Sequence, residues 1–88
     1  MSEERLIKEI EAKEEDHVDF LRELIKTDSY NPPGNEKNVA IKIKEYLGEV
    51  GIESEIFSFG ENRANLLAQL NPKADGKTIL FNGHMDVV

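Results

Sequence analysis

The sequence predicts an α/β fold in which two helices pack on a small mixed sheet. A long stretch without Gly or Pro opens the chain, and a second stretch carries apolar residues at helical spacing. Three short apolar runs follow these two stretches. Because helices and strands differ in the period of their apolar residues, these observations predict the order helix, helix, strand, strand, strand.

The first helix is predicted over residues 2–27, which contain no Gly or Pro and are rich in good helix formers. Its apolar face comprises Ile7, Ile10, Val18, Leu21, Leu24 and Ile25. Residues 11–16 are almost entirely charged, so we expect the helix either to meet solvent on all sides there or to bend. Acidic residues near the start favour a helix because they complement the positive end of its dipole.

The second helix is predicted over residues 36–50. The preceding segment 31–34 (Asn-Pro-Pro-Gly) breaks the first helix, because proline removes a backbone donor and keeps the residue before it extended. Apolar residues then recur at helical spacing: Val39, Ala40, Ile43, Leu47 and Val50. Gly51 follows as the expected C-terminal cap.

The three strands are predicted over residues 52–59, 64–70 and 78–81. The first two form a hairpin, since both have apolar residues in alternation and a short Gly-Glu-Asn turn joins them. Residues 78–81 are a continuous apolar run, which is typical of a strand covered on both faces. We therefore expect this third strand to be the most buried element.

Composition excludes several classes of protein. The chain has 88 residues, no cysteine and a formal net charge of -7, with 18 acidic and 11 basic residues. Disulfides and thiolate metal sites are thereby excluded, and without a basic cluster we expect no nucleic-acid partner. No apolar run approaches the roughly 20 residues of a membrane span, and the acidic start does not resemble a signal peptide. We expect a cytoplasmic protein that binds no membrane.

The chemically rich segment follows the third predicted strand. His84 and Asp86 are two residues apart, so in an extended stretch their side chains point to the same side. An imidazole can bind a metal ion through one nitrogen while a carboxylate accepts from the other and fixes the ring. Asn82-Gly83 is also a strong hairpin signal, and residues 84–88 would then form a returning strand. Spacing alone favours that simpler alternative, since one His and one Asp do not make a metal site.

Two motifs resemble a known family. Residues 83–88 (Gly-His-Met-Asp-Val-Val) resemble the first active-site motif of the zinc metallopeptidases and amidohydrolases that include acetylornithine deacetylase, succinyl-diaminopimelate desuccinylase, aminoacylase and carboxypeptidase G. Residues 31–36 resemble a loop that many members carry between their first two helices. The resemblance covers essentially the whole chain but only the opening part of a family member, so residues 1–88 are identified as an incomplete N-terminal segment of a three-layer zinc-exopeptidase catalytic domain.

The resemblance implies roles for two residues of the motif at residues 83–88. His84 would ligate one zinc of a two-zinc site, and Asp86 would act with the catalytic residues by orienting His84. Cobalt or manganese could replace zinc, because His and carboxylate ligands suit several metals. The complete protein would hydrolyse the amide bond of an N-acyl amino acid or small peptide. The chain alone lacks the general base and most ligands, so we expect it to be inactive and not to hold zinc by itself.

A second hypothesis belongs to a different class of protein. The chain could be a non-catalytic interaction module, because a sheet that ends here leaves an unpaired edge and uncovered apolar surface. Such a surface favours self-association, so we expect a homo-oligomer under this hypothesis.

Overall fold

The computed structural model describes residues 2–88 and has three helices and one hairpin. The elements, in chain order, are α1 (Glu3–Ala12), α2 (Glu14–Lys26), α3 (Lys37–Glu49), β1 (Ser54–Gly60) and β2 (Arg63–Ala68). This arrangement confirms the predicted α/β class. No helix within residues 2–88 is long and apolar enough to cross a membrane.

The predicted first helix is divided into α1 and α2 at Lys13, whose φ and ψ of -108° and 12° depart from helical values. The division falls inside the charged stretch in which the sequence indicated a bend or full solvation. Phe20 on α2 stacks on Tyr46 of α3, with ring centroids 4.0 Å apart and an angle of 17° between the ring planes. This aromatic pair connects α2 with α3.

The core lies between α3 and the hairpin. Val39 and Ala40 on α3 and Ala64 on β2 are its buried apolar residues in the described part of the chain. Gly51 ends α3 with a φ of +80°, as the sequence predicted, because this left-handed conformation suits a residue without a Cβ atom.

The hairpin is antiparallel and pairs Ser54 with Ala68 at its open end and Gly60 with Arg63 at its turn. Asn62 occupies the turn with a φ of +59°, a conformation that asparagine tolerates better than most residues. The backbone N–H of Lys37 donates to the carbonyl of Asn62 at 3.0 Å. This bond fixes the turn against the first residue of α3 and thereby positions Arg63.

The prediction of a third, buried strand over residues 78–81 is wrong. These residues form no strand, and Ile79, Leu80 and Phe81 are 79%, 79% and 90% exposed. A strand needs a neighbour for its backbone groups, and among residues 2–88 β1 and β2 pair only with each other. High apolar content therefore does not bury this segment without a surface to cover it.

The end of the chain contacts the loop before α3. Val87 forms a parallel bridge with Tyr30: the Asn31 N–H donates to the Val87 carbonyl at 2.7 Å, and the Val87 N–H donates to the Ser29 carbonyl at 3.0 Å. The alternative hairpin around Asn82-Gly83 is wrong, because the residues after it pair with this loop and not with 78–81. The bridge brings the motif at residues 83–88 next to the loop motif at residues 31–36.

Candidate active site

His84 and Asp86 are in direct contact. The His84 Nδ1 atom lies 2.9 Å from the backbone carbonyl oxygen of Asp86 and 3.2 Å from its carboxylate Oδ1. The His84 side chain is 84% exposed, whereas that of Asp86 is 27% exposed. The sequence placed both side chains on one side of the chain but left their contact open, and the structure brings them together.

This contact selects one tautomer of a neutral His84. Both groups that face Nδ1 are acceptors, so the ring proton belongs on Nδ1, which donates to Asp86. The Nε2 atom then carries a free lone pair on an exposed ring edge. A neutral imidazole with its second nitrogen held by a carboxylate is the form in which histidine binds metal ions.

The Asp86 carboxylate is held from its other side by two residues. The Asn31 side-chain amide donates to Oδ2 at 2.9 Å, and the Arg63 Nη2 atom lies 3.9 Å from the same oxygen. The hydrogen bond from Asn31, followed by that from His84, lowers the pKa of Asp86 below its ordinary value, although desolvation opposes this shift. Asp86 therefore remains an ionised acceptor for the His84 proton.

Arg63 is itself held by a buried carboxylate. Its Nε atom donates to the Glu36 Oε1 atom at 2.6 Å, and Glu36 is only 4% exposed. The guanidinium also lies over the Phe59 ring, with its carbon 5.3 Å from the ring centroid. Such a cation–π contact favours a fixed position for the charge.

Sequence reasoning missed Asn31, Glu36 and Arg63 as site residues. Residues 31–34 were predicted only to break the first helix and to match a family loop, and no role was predicted for Arg63. Spacing gives no sign that residues 31–36 and 63 meet residue 86, because the meeting depends on the Val87 bridge. A signal was nevertheless present, since the loop motif and the His-x-Asp motif occur together in the family that the chain resembles.

The described residues do not form a metal site by themselves. Residues 2–88 contain no group of three or more His, Cys, Asp or Glu side chains arranged to hold a metal ion. His17 lines an open groove on α1 and α2 with Ile10 and Val18, and none of the site residues lines that groove. A catalytic zinc usually takes about three protein ligands, so His84 fits as one ligand of a larger set. Its role as a ligand stays a prediction.

Comparison with known proteins finds curated relatives that are named as hydrolases. No family model matches the chain, and no solved structure matches it. Curated proteins do match: a probable succinyl-diaminopimelate desuccinylase of Staphylococcus epidermidis is 32% identical over 75 residues, which are 85% of this chain and 18% of that protein. Its Staphylococcus aureus counterpart is 33% identical over 76 residues, again 85% of this chain and 18% of that protein.

A third relative comes from an archaeon. A putative LysW-lysine/LysW-ornithine hydrolase of Pyrococcus abyssi is 33% identical over 79 residues, or 90% of this chain and 21% of that protein. These relatives are members of the peptidase and amidohydrolase family that the two motifs resemble, so the resemblance is confirmed. The chain spans about a fifth of the length of the curated relatives it matches.

Proposed function

We propose that this chain is the N-terminal portion of the catalytic domain of a metal-dependent hydrolase that cleaves the amide bond of an N-acyl amino acid or small peptide. One observation carries the proposal. His84 commits Nδ1 to Asp86 and leaves Nε2 free and exposed, which is the arrangement of a metal-binding histidine. The names of the relatives support the same class, since they describe a desuccinylase and an amino-acid hydrolase.

In this proposal His84 would bind a zinc ion through Nε2, with cobalt or manganese as alternatives. The bound metal would supply Lewis acidity towards the substrate carbonyl and towards water. Asp86 holds the proton on His84 Nδ1 and fixes the ring plane, which makes Nε2 a better donor to the metal. Asn31 keeps the Asp86 carboxylate in place and ionised for this task.

The remaining metal ligands and the general base are proposed to come from other parts of a longer protein. One histidine cannot hold a catalytic metal alone. The 88-residue chain by itself is therefore expected to be inactive and to bind zinc only weakly.

Hydrolysis by the native protein that contains this segment tests the proposal. N-succinyl-diaminopimelate is the first substrate to try, and a panel of other N-acyl amino acids follows. We expect a chelator to abolish turnover and added zinc to restore it. His84→Ala should lower activity by more than about 100-fold, because changes behind a ligand already cost about 10–100-fold.

His17→Ala is the matched control, since it removes the other histidine at an exposed position away from the site. It should leave activity unchanged. Equal activity of the wild type and His84→Ala would contradict the proposal. Turnover by the isolated 88-residue chain above that of its own His84→Ala variant would contradict the assignment of the missing groups to other segments.

The exposed apolar run at residues 79–81 supports a second candidate function. Three large apolar side chains in succession are 79%, 79% and 90% exposed, which is typical of a surface that another protein surface covers. Under this alternative the chain is a non-catalytic module that self-associates through residues 79–81. An oligomer of the isolated chain, together with a native protein of the same length, would support it.

A further inference from the structure

A continuous row of charged and polar side chains leads from the interior of the domain to His84. It begins at Glu36, passes through the guanidinium of Arg63 to the Asp86 carboxylate, and ends at His84 Nδ1. Its first member is buried and its last is exposed. The row therefore connects a fixed point in the fold with the ring that the proposed metal would contact.

Arg63 occupies the middle of this row because it can serve two carboxylates at once. Its Nε atom donates to Glu36, and its Nη2 atom lies 3.9 Å from the Asp86 Oδ2 atom. The planar guanidinium presents several N–H groups in a fixed fork, so anchoring one edge determines where the other edge points. A lysine in this position would place a single point charge and could not fix both partners in the same way.

Gly34 provides the space in which Arg63 lies. A Cβ atom added at Gly34 would fall 2.6 Å from both Cδ and Nε of Arg63 and 2.8 Å from its Cζ. These distances are too short for van der Waals contact, so any other residue at position 34 would displace the Arg63 side chain. The loop motif thus contributes the gap for Arg63 in addition to the Asn31 amide.

Glu36 makes the position of Arg63 costly to change. The Oε2 atom of Glu36 is buried without a hydrogen-bond partner within the described residues. The ion pair between Oε1 and Arg63 is therefore the interaction that offsets the cost of burying the carboxylate charge. A buried carboxylate that loses its partner is strongly unfavourable. The fold therefore holds Arg63 at one place, and Arg63 can hold Asp86.

We propose that Arg63 is a positioning residue of this site: anchored by Glu36 in the gap that Gly34 leaves, it works with Asn31 to place the Asp86 carboxylate so that His84 keeps its proton on Nδ1. The catalytic meaning of this arrangement rests on the proposed function, because it matters for hydrolysis only if His84 binds the metal through Nε2. The arrangement itself is a property of the metal-free chain and is tested there.

The test is a long-range ¹H–¹⁵N correlation spectrum of the histidine rings in the metal-free chain, recorded at about pH 8, above the ordinary histidine pKa of about 6.5. Such a spectrum reports which ring nitrogen carries the proton. In the wild type we expect His84 to show mainly protonated Nδ1. His17, whose ring makes no hydrogen bond within residues 2–88, serves as the internal reference for an unrestrained ring.

Gly34→Ala and Gly51→Ala form a matched pair of variants. Both glycines have positive φ, of +98° and +80°, so both substitutions strain the backbone. Only the first introduces a methyl group against Arg63, since a Cβ atom at Gly51 meets nothing within 4 Å. We expect Gly34→Ala to shift the His84 nitrogens toward the pattern of His17, and Gly51→Ala to leave them unchanged.

Arg63→Met should produce the same shift as Gly34→Ala, and Arg63→Lys should produce a smaller one. A wild-type His84 pattern in Gly34→Ala and Arg63→Met, with a folded amide spectrum, would overturn the proposal. If those variants do not fold, Arg63→Lys decides, and an unchanged His84 pattern there overturns it. A wild-type His84 that already resembles His17 would also overturn it.

Failure of this proposal and failure of the proposed function are distinguishable. The ring spectra need no metal and no substrate, so they judge the role of Arg63 alone. Loss of hydrolysis in His84→Ala with unaltered ring spectra in the Arg63 and Gly34 variants would sustain the function and discard the positioning role. Altered ring spectra without any metal-dependent hydrolysis would sustain the positioning role and discard the function.

Discussion

One region of this chain buries small apolar side chains, whereas another leaves larger apolar side chains exposed. The contact of α3 with the hairpin buries Val39, Ala40 and Ala64, although two of these side chains are a single methyl group. Residues 79–81 carry larger apolar side chains and remain almost fully exposed. The difference teaches that burial follows the presence of a complementary surface and does not follow hydrophobicity alone.

The candidate site lies at the boundary between these two regions. His84 and Asp86 follow the exposed residues 79–81 in the chain, but the Val87 bridge attaches them to the loop before α3. Asp86 thereby gains Asn31 and Arg63 as partners, whereas the ring of His84 stays open to solvent. The site thus has its supporting residues in place on one side and an open face on the other.

Among the variants, Arg63→Met should cause the largest loss of stability in the region where α3 contacts the hairpin. It leaves the Glu36 carboxylate buried without its partner, which typically costs about 3–5 kcal/mol. A domain of this size has a small stability margin, so we expect the variant to unfold at a much lower urea concentration than the wild type. Arg22→Met is the control: its ion pair with Asp19 is exposed on α2 and contributes at most about 1 kcal/mol. Equal stability of the two variants would contradict the importance of the Glu36–Arg63 pair.

Val39→Ala and Phe81→Ala compare the two regions directly. Val39 is 5% exposed, and removing its two methyl groups should lower the free energy of unfolding by about 1.5 kcal/mol at about 0.8 kcal/mol per CH₂. Phe81 is 90% exposed, so its truncation should change stability by less than about 0.5 kcal/mol despite the larger group removed. Urea unfolding measures both values. A larger loss for Phe81→Ala would show that residues 79–81 are covered in solution.

Light scattering tests whether the exposed apolar residues 79–81 cause the chain to self-associate. We expect the isolated chain to self-associate as its concentration rises, because residues 79–81 expose adjacent apolar groups. Replacing Leu80 and Phe81 together by Lys should shift the population to monomer, whereas Ile25→Lys on α2, where the side chain is 74% exposed, should not. A wild-type chain that stays a monodisperse monomer at high concentration would contradict this expectation.

The smallest predicted effect concerns the ionisation of Asp86. Its pKa lies below the ordinary value, chiefly because Asn31 donates a hydrogen bond to the carboxylate. A lowered pKa in the folded state means that the stabilisation is present above the ordinary pKa of about 3.9 and is lost as the pH falls through the folded value. Asn31→Ala should raise the pKa of Asp86, as a ¹³C carboxyl titration would measure. Asn38→Ala, which removes a different amide donor of the same region, should leave it unchanged.

The sequence predicted those features that depend on local periodicity and local chemistry. The helix predicted over residues 36–50 is present as α3, and the Gly51 cap and the hairpin are present as well. The residues that determine these features lie within one element or one turn. The third strand was wrong, because its formation depends on a neighbour that residues 2–88 do not supply.

For the candidate site too, local contacts could be predicted from the sequence and long-range contacts could not. The proximity of His84 and Asp86 follows from their spacing of two residues, and their contact is present. The meeting of Asp86 with Asn31 and Arg63 joins positions 55 and 23 residues away, as counted from their numbers, and no periodicity in the sequence announces it. Resemblance to a family drew attention to the loop of residues 31–36, but only the structure connects that loop with Arg63.

We propose that the 88 residues belong to a longer metal-dependent hydrolase, in which other segments cover residues 79–81 and complete the ligand set of His84. The intact mass of the native protein, purified from its source cells and measured by mass spectrometry, tests this claim most directly. We predict a mass several times the 10.0 kDa of this chain, since the chain spans about a fifth of its curated relatives. A native mass near 10.0 kDa would contradict the claim and favour the self-associating module.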